Sequence, residues 1–247
     1  MSTIYSSSSG TKDDGRIYIL SQSSWANARD ATSGTAITSN SYNAYFTGVA
    51  RNPARGGGSV YSVYRSFMAF DTSGITGTVA SATLSIRGHS SNDGSVIAVK
   101  SNAYGGDGGT ALANADFNNI VGYSTGSSLA GSATVYGSQI LTSSWSTSGY
   151  NVFTATSDLL TDMKNQDVVI ICLMDYTNDY LNSAPTSNVT LNCGAYYAEY
   201  GGTSLDPKIV YTLAATGYAN SVNGIAPSSI SKINGIATAS IEKVNGI

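Results

Sequence analysis

Short apolar runs, many alternating with polar residues, recur along the first 214 residues between turns rich in Gly, Ser and Asn. Alternation is the pattern of a strand with one buried face. It is clearest in the segment "ATLSIRG", where Ala82, Leu84 and Ile86 share one side. The pattern predicts nine strands, near residues 16–20, 43–50, 60–70, 79–87, 95–103, 148–155, 168–175, 188–200 and 207–214.

Two segments instead carry a helical pattern. In "DLLTDMKNQ" an acid comes early and a lysine late, which suits the helix dipole, and Ser157 directly before it is the predicted N-cap. The segment "NADFNNIVGY" over 114–123 predicts a second short helix. Nine strands with so little helix predict an all-β fold, a two-sheet antiparallel jelly-roll sandwich that forms one domain over residues 1–214.

Composition supports this fold class and excludes several functions. Charged residues make up 11% of the chain, and glutamate occurs only at Glu199 and Glu242. Helical surfaces use such residues heavily, so their scarcity favours strands. A net charge of −3 gives no electrostatic basis for binding nucleic acid. The opening lacks the pattern of a secretory signal, and no apolar run approaches the ~20 residues of a membrane span. We therefore expect a soluble protein without nucleic-acid or membrane partners.

The segment "VARNPARGGGS" contains a pair of arginines. Arg51 and Arg55 would suit a phosphate or an acidic sugar, whereas solvated loop residues are the commoner case for surface charge. Arg65 lies inside an otherwise apolar strand and needs an acidic or carbonyl partner if it is buried. Asp71 ends that strand before Thr-Ser-Gly, where its carboxylate has a turn to cap. We expect both Arg65 and Asp71 to belong to the framework.

The two cysteines, Cys172 and Cys193, lie within predicted strands. A hairpin around residue 182 would bring them face to face and make a disulfide geometrically possible. Two buried thiols are the favoured alternative for a chain folded in a reducing cytoplasm. With a single histidine, His89, the two cysteines do not make a zinc site.

Residues for catalysis are few. A Ser-His-Asp arrangement would have to use His89, which the pattern places in a surface turn, and no serine has a nucleophile-elbow pattern. Asp13, Asp14, Asp175 and Asp179 are candidates for a two-carboxylate glycosidase, but nothing selects a pair. The segments 13–15 and 176–183 also offer oxygen ligands for calcium, without the spacing of a calcium loop. The sequence predicts a protein that is not an enzyme and has no cofactor or metal.

Tyrosine is abundant, with seventeen in the chain. In "GAYYAEYGG" the residues Tyr196, Tyr197 and Tyr200 come together near a strand end, and alternation turns one of Tyr196 and Tyr197 outward. An exposed aromatic ring can stack on a sugar, and Trp25, in a predicted loop, could join the tyrosines. Packing of these rings into the sandwich core is the alternative. Glycans are therefore a candidate class of ligand.

The chain closes with an eleven-residue repeat in which Asn-Gly-Ile occurs three times. The pattern predicts short helical turns over 228–233 and in the next unit, each closed by a glycine of positive φ, with Ile236 folding back onto Ile230. Such turns are too short to be stable alone, so we expect the 215–247 tail to pack on a partner or on sister subunits. The predicted assembly residues are Val222, Ile225, Ile230, Ile233, Gly235, Ile236, Ile241, Val244, Gly246 and Ile247.

The segment "YRSFMAFDTSGITGTVASATLSI" resembles the hallmark segment of DNRLRE-type jelly-roll domains, which are related to certain carbohydrate-binding modules. The resemblance spans roughly 14–214 and continues through the helix "TSDLLTDMKNQ", the strand "VVIICLMD" and a last strand that begins at Pro207-Lys208. The matching positions are Arg65, Ser66, Phe70, Asp71, Ile75, Ser81, Ala82, Thr83 and Leu84.

The closing repeat is similar to those that end structural proteins of bacteriophages. Together the two resemblances imply a non-enzymatic virion protein, such as a capsid decoration, head fibre or tail appendage. It would fold in the host cytoplasm and be displayed on the particle surface. Its partners would be sister subunits and other virion proteins, with host surface glycans as ligands. A carbohydrate-binding module of a cell-surface or secreted protein is the alternative.

Overall fold

The chain divides into two units, Met1–Thr212 and Leu213–Ile247, in a computed structural model. Strands dominate the first unit, and the part of the second that the structure describes is short. The described residues are 1–7, 10–38, 44–198, 200, 202–214, 230, 232–233 and 235–237.

The all-β prediction is confirmed, and each of the nine predicted strands is present. Three strands of the first unit were not predicted: Ser2–Tyr5, Thr35–Thr38 and Val135–Ile140. In chain order the strands between Ser2 and Leu213 are β1 (Ser2–Tyr5), β2 (Gly15–Gln22), β3 (Thr35–Thr38), β4 (Ala44–Pro53), β5 (Ser59–Asp71), β6 (Val79–Asn92), β7 (Val96–Lys100), β8 (Val135–Ile140), β9 (Tyr150–Thr154), β10 (Val168–Asp175), β11 (Val189–Tyr196) and β12 (Lys208–Leu213).

Helical segments in the described residues are short. The α-helices are α1 (Trp25–Arg29) and α2 (Ser157–Asn165). The predicted cap of α2 is one residue off, because Thr156 is the extended residue whose hydroxyl accepts from the Leu159 N–H. The second predicted helix is reduced to the 3-10 turn Asn114–Asn118. A π-helical turn, Tyr176–Tyr180, follows β10.

The strands form one curled antiparallel sheet in the order β1-β12-β6-β11-β4-β5-β10-β7-β8. Off this path, β2 pairs with β5, β3 pairs with β2, and β9 pairs with β6. The sheet divides into two layers at β5. The residues from Ser59 to Tyr64 pair with β4, and those from Ser66 to Asp71 pair with β10. Beyond this fork β4 continues alongside β11 only, and the two layers then face each other as a sandwich.

Apolar side chains fill two separate cores, and β10 contributes to both. Its alternate residues Val169, Ile171 and Leu173 pack in the first core, between the two layers, with Leu84 and Phe153. The intervening β10 residues, from Val168 to Met174, face a second core. That core is closed by α1 and by the loops between residues 101 and 134. Burial on both faces explains why the segment "VVIICLMD" is apolar without alternation.

Arg65 is fully buried on the second-core side of β5, where it holds several loops together. Its Nε and Nη2 atoms donate to the two Asp179 carboxylate oxygens at 2.8 and 2.7 Å. It also donates to the carbonyls of Phe117 and Arg29, and its guanidinium lies 4.1 Å from the Phe117 ring centroid. Burial acts to lower the pKa of Arg65, but the Asp179 carboxylate outweighs it and holds the pKa above its usual value.

This arrangement confirms the prediction that a buried Arg65 needs an acidic or carbonyl partner. Arg29 is also fully buried and donates to the carbonyls of Asp179 and Ser127 at 2.8 Å. Asp71 caps its turn, as expected, by accepting from the backbone and the hydroxyl of Ser73, which lowers the pKa of Asp71.

Cys172 and Cys193 are free and buried. The prediction of a hairpin that pairs their strands is wrong. β10 pairs with β5 and β7, whereas β11 pairs with β4 and β6. Cys172 lies in the second core and Cys193 in the first. The layers that carry these strands are therefore different, and the favoured alternative of two buried thiols is confirmed.

In the second unit the structure describes a two-stranded hairpin, β13 (Lys232–Ile233) and β14 (Ile236–Ala237), in which Ile233 faces Ile236. Gly235 has the predicted positive φ, +81°. The helical turn predicted for 228–233 is wrong at Lys232 and Ile233, because these residues pair as a strand with Ala237 and Ile236. The sequence Asn-Gly between two such strands favours a hairpin. Ile236 is 56% exposed. The remaining tail residues named above lie outside the described residues: Val222, Ile225, Ile241, Val244, Gly246 and Ile247.

Candidate functional site

Alternation along β11 turns Tyr196 outward and Tyr197 inward. Cys193, Ala195 and Tyr197 pack in the first core, and the Tyr197 ring meets the Tyr45 ring edge-on at 4.8 Å. Tyr196 is half-buried on the opposite, outer side of the layer. One of the three tyrosines is therefore a core residue.

Tyr196 and Tyr200 form a stacked pair at the end of β11. Their ring centroids are 5.3 Å apart and their planes differ by 4°. A turn in which the Tyr200 N–H donates to the Tyr197 carbonyl brings the second ring back over the first. Tyr200 is 39% exposed. The pair thus presents a flat aromatic surface to solvent.

His89 reaches this pair from β6 through a β-bulge. Gly194 faces Ser90 and the next residue, Ala195, faces Gly88, so His89 is the additional residue of the bulge. Bulges redirect side chains in this way. The exposed His89 ring lies 5.0 Å from the Tyr196 ring, at 81° to it. His89 lies within a strand, so the predicted surface turn is wrong, although the residue is at the surface.

The Phe46 ring lies on the same outer side, beside Gly194. The two residues face each other across β4 and β11. A Cβ atom at Gly194 would lie 3.2 Å from the Phe46 ring and 2.3 Å from the Ser90 hydroxyl. A side chain at position 194 would therefore displace the Ser90 hydroxyl and crowd the Phe46 ring.

A cavity of about 300 Å³ opens beyond Phe46, where β2, β4, β5 and β11 meet. The Arg16 guanidinium carbon lies 5.5 Å from the ring centroids of both Tyr18 and Phe46. Tyr18 and Tyr64 face each other across β2 and β5, with ring centroids 5.9 Å apart. The cavity is lined by Arg16, Phe46, Val49, Tyr64, Thr190, Leu191 and Asn192.

These elements make one surface, which we call the outer aromatic face: Arg16, Tyr18, Phe46, Tyr64, Tyr196 and Tyr200. Strand alternation and the pairing register place Tyr64, Gly48 and Asn192 on the same side, and Asn192, Gly194 and Tyr196 follow along β11. Burial raises the pKa of Tyr64, and the charge of Arg16 opposes that shift. The phenol therefore stays neutral, as a hydrogen-bonding group, near pH 7.

Trp25 is not brought to this face. It begins α1, not a loop, and its indole N–H donates to the Asn182 side chain at 2.8 Å. Its ring meets Tyr61 at 6.1 Å. On β5, Tyr61 lies on the opposite side from Tyr64. It shares the side of Val63, which packs in the second core. Trp25 and the stacked tyrosines therefore lie on opposite sides of the sheet.

Three of the four carboxylates considered for hydrolysis make framework contacts. Asp179 is paired with Arg65, and Asp14 is buried and accepts from the Ala198 N–H. Asp175 is buried and accepts from the Asn178 N–H at 2.6 Å. Asp13 is partly exposed, and burial raises its pKa. Within the described part of the chain, no three histidine, cysteine or acidic residues cluster closely enough to hold a metal ion.

Sequence reasoning found Tyr196 and Tyr200 because they are close along the chain. It missed Arg16, Tyr18, Phe46 and Tyr64, which come from three separate strands and meet only through pairing.

Among the described residues, no helix is long and apolar enough to span a membrane. No protein-family model and no curated protein matches the chain. The geometry of the face itself thus carries the functional argument.

Proposed function

We propose that the first unit is a non-enzymatic saccharide-binding domain that binds through the outer aromatic face. The observation that carries the proposal is the stacked pair of Tyr196 and Tyr200, with Tyr200 exposed at the surface. Aromatic rings offer a sugar an apolar surface of matching shape, and the phenol hydroxyls can hydrogen-bond at its rim. Phe46 continues the apolar surface toward the cavity.

The domain would be displayed on a bacteriophage particle as a capsid decoration, head fibre or tail appendage. The support is the eleven-residue repeat, which resembles those that end phage structural proteins. Its described hairpin also has only two residues in each strand. A two-stranded hairpin is marginally stable alone. Further pairing with sister subunits or other virion proteins would stabilise it, so the tail is the proposed assembly device.

A glycan array tests the saccharide-binding role, with Tyr200→Ala and Tyr196→Ala as the variants. Stacking on an aromatic side chain contributes about 1–3 kcal/mol per nucleic-acid base, and we expect about 1 kcal/mol for a sugar, or roughly a fivefold loss of affinity. Tyr5→Ala is the matched control, because Tyr5 on β1 is 40% exposed and belongs to another strand. Binding to no glycan, or equal effects of all three substitutions, would remove the proposal.

The alternative is a carbohydrate-binding module of a cell-surface or secreted protein. It uses the same face, and it is favoured by the fact that every residue of the face lies in Met1–Thr212. The two roles differ in where the protein is found. Mass spectrometry of purified particles, together with the genes that neighbour this one, distinguishes them. Capsid and tail genes beside it, with the protein in the particle, would support the virion role.

A further inference from the structure

The outer aromatic face is much longer than one sugar ring. Tyr196 faces Ala44 on β4, and Tyr64 faces Gly48, four residues further along the same strand. Because residues rise about 3.4 Å along a strand and neighbouring strands lie about 4.8 Å apart, Tyr196 and Tyr64 are roughly 17 Å apart across the sheet. Phe46 lies between them, opposite Gly194. A single sugar cannot contact both ends.

The two ends differ in chemistry. The β11 end offers the flat Tyr196–Tyr200 pair, which suits an apolar ring face. At the other end, Arg16 is the one charged residue among the described residues that line the cavity. No carboxylate of the described structure lines this cavity. A guanidinium donates two parallel hydrogen bonds to a carboxylate and is held in place here by the rings of Tyr18 and Phe46. The Thr190 hydroxyl and the Asn192 amide add polar groups at the rim.

We infer that the face binds a linear acidic saccharide chain at two subsites. One unit stacks on the exposed Tyr200 ring of the stacked pair, the chain crosses the Phe46 ring, and the carboxylate of another unit pairs with Arg16 in the cavity. The inference rests on the proposed saccharide-binding function and deepens it, because it names the ligand class and the residue that selects it. Neutral chains bind only at the aromatic subsite, because they have no carboxylate to pair with Arg16.

Calorimetric titration of the full chain tests the inference with oligouronates of two and six units and with a neutral glucan hexasaccharide. We expect the six-unit uronate to bind about tenfold or more tightly than either of the others, because only this chain reaches the aromatic subsite and also forms the hydrogen-bonded charge pair with Arg16. Arg16→Gln should reduce uronate binding to the level of the glucan, so that the ratio of the two affinities falls to about one. Arg16→Lys keeps the charge without the planar geometry and should restore part of the difference.

Arg55→Gln is the control, because Arg55 is an exposed arginine in the β4–β5 loop and does not line the cavity. Tyr200→Ala should weaken the uronate and the glucan alike. Equal affinity for two and six units, equal affinity for glucan and uronate, or unchanged uronate binding by Arg16→Gln would overturn the inference and leave the proposed function standing. Failure of every saccharide to bind would overturn both.

Discussion

At the scale of single residues, the buried Arg65–Asp179 pair is the feature whose removal should cost most stability. Breaking a buried ion pair leaves an uncompensated charge, which typically costs about 3–5 kcal/mol. We expect Asp179→Asn to lower the free energy of unfolding by that amount, because both Arg65 and the nearby Arg29 would lose negative charge close to them. Urea denaturation measures it.

The control for Asp179 is Asp71→Asn, since Asp71 is exposed and contacts Ser73 in its own turn. A change below about 1 kcal/mol is typical of exposed polar contacts. Should the two substitutions have equal effects, the buried pair would not be what holds the loops on the sheet.

Asp175 should make stability depend on pH. Burial raises the pKa of Asp175 from 3.8 to about 6, while the Asn178 N–H opposes the shift. Ionisation is thus less favourable in the folded protein, and the stability contribution of Asp175 falls as pH rises from about 4 to about 6. A shift of this size corresponds to about 3 kcal/mol.

Comparison with Asp175→Asn isolates this contribution, because asparagine keeps an oxygen that can accept from the Asn178 N–H. Unfolding by urea should show the variant and the wild type equally stable at pH 3.5. The variant should be more stable by up to about 3 kcal/mol at pH 7. A difference that does not change with pH would show that Asp175 titrates normally.

At the scale of elements, the strands with apolar runs or clear alternation could be predicted from the sequence, and the others could not. The strand β10 is unmistakable because both of its faces are buried. β3 (TAIT) and β8 (VYGSQI) carry too few apolar residues to be told from loops. Their strand character comes from pairing with β2 and β7, which a pattern within one segment does not reveal.

The tail shows a different limit. The spacing of its isoleucines suits a helical turn, and the glycine was correctly expected to have a positive φ. A helix end and a hairpin both require that conformation, so it did not discriminate between them. The Asn-Gly pair was the better signal. The candidate site could not be predicted in full either. Arg16 and Phe46 become neighbours only when β2 and β4 both pair with β5.

Gly235 should be essential to the tail hairpin. At φ +81° a β-branched residue is strained, so Gly235→Val should open the turn and weaken assembly. Gly74→Val is the control, because Gly74 is a loop glycine of the first unit that has open space around its Cβ position. Analytical ultracentrifugation of both variants, and of a chain that ends at Ala214, measures the effect. If the chain ending at Ala214 assembles as well as the full chain, the tail is not the assembly device.

At the scale of the whole molecule, the Met1–Thr212 unit contains both apolar cores, and we expect it to fold without the tail. Circular dichroism of a chain ending at Ala214 should show a β-dominated spectrum with a cooperative thermal transition. The full chain provides the comparison. A spectrum dominated by helix, or a transition lost on truncation, would contradict this prediction.

Each core also contains one thiol, Cys172 in the second and Cys193 in the first. Burial raises the pKa of Cys193 to about 12 and that of Cys172 further, so neither reacts appreciably until its surroundings open. The rate of alkylation at each cysteine therefore measures how often the core around that cysteine opens. In Asp179→Asn, peptide mass spectrometry after iodoacetamide pulses should find modification accelerated more at Cys172, which shares the second-core side with Asp179, than at Cys193. Equal acceleration at both positions would mean that the two layers open as one.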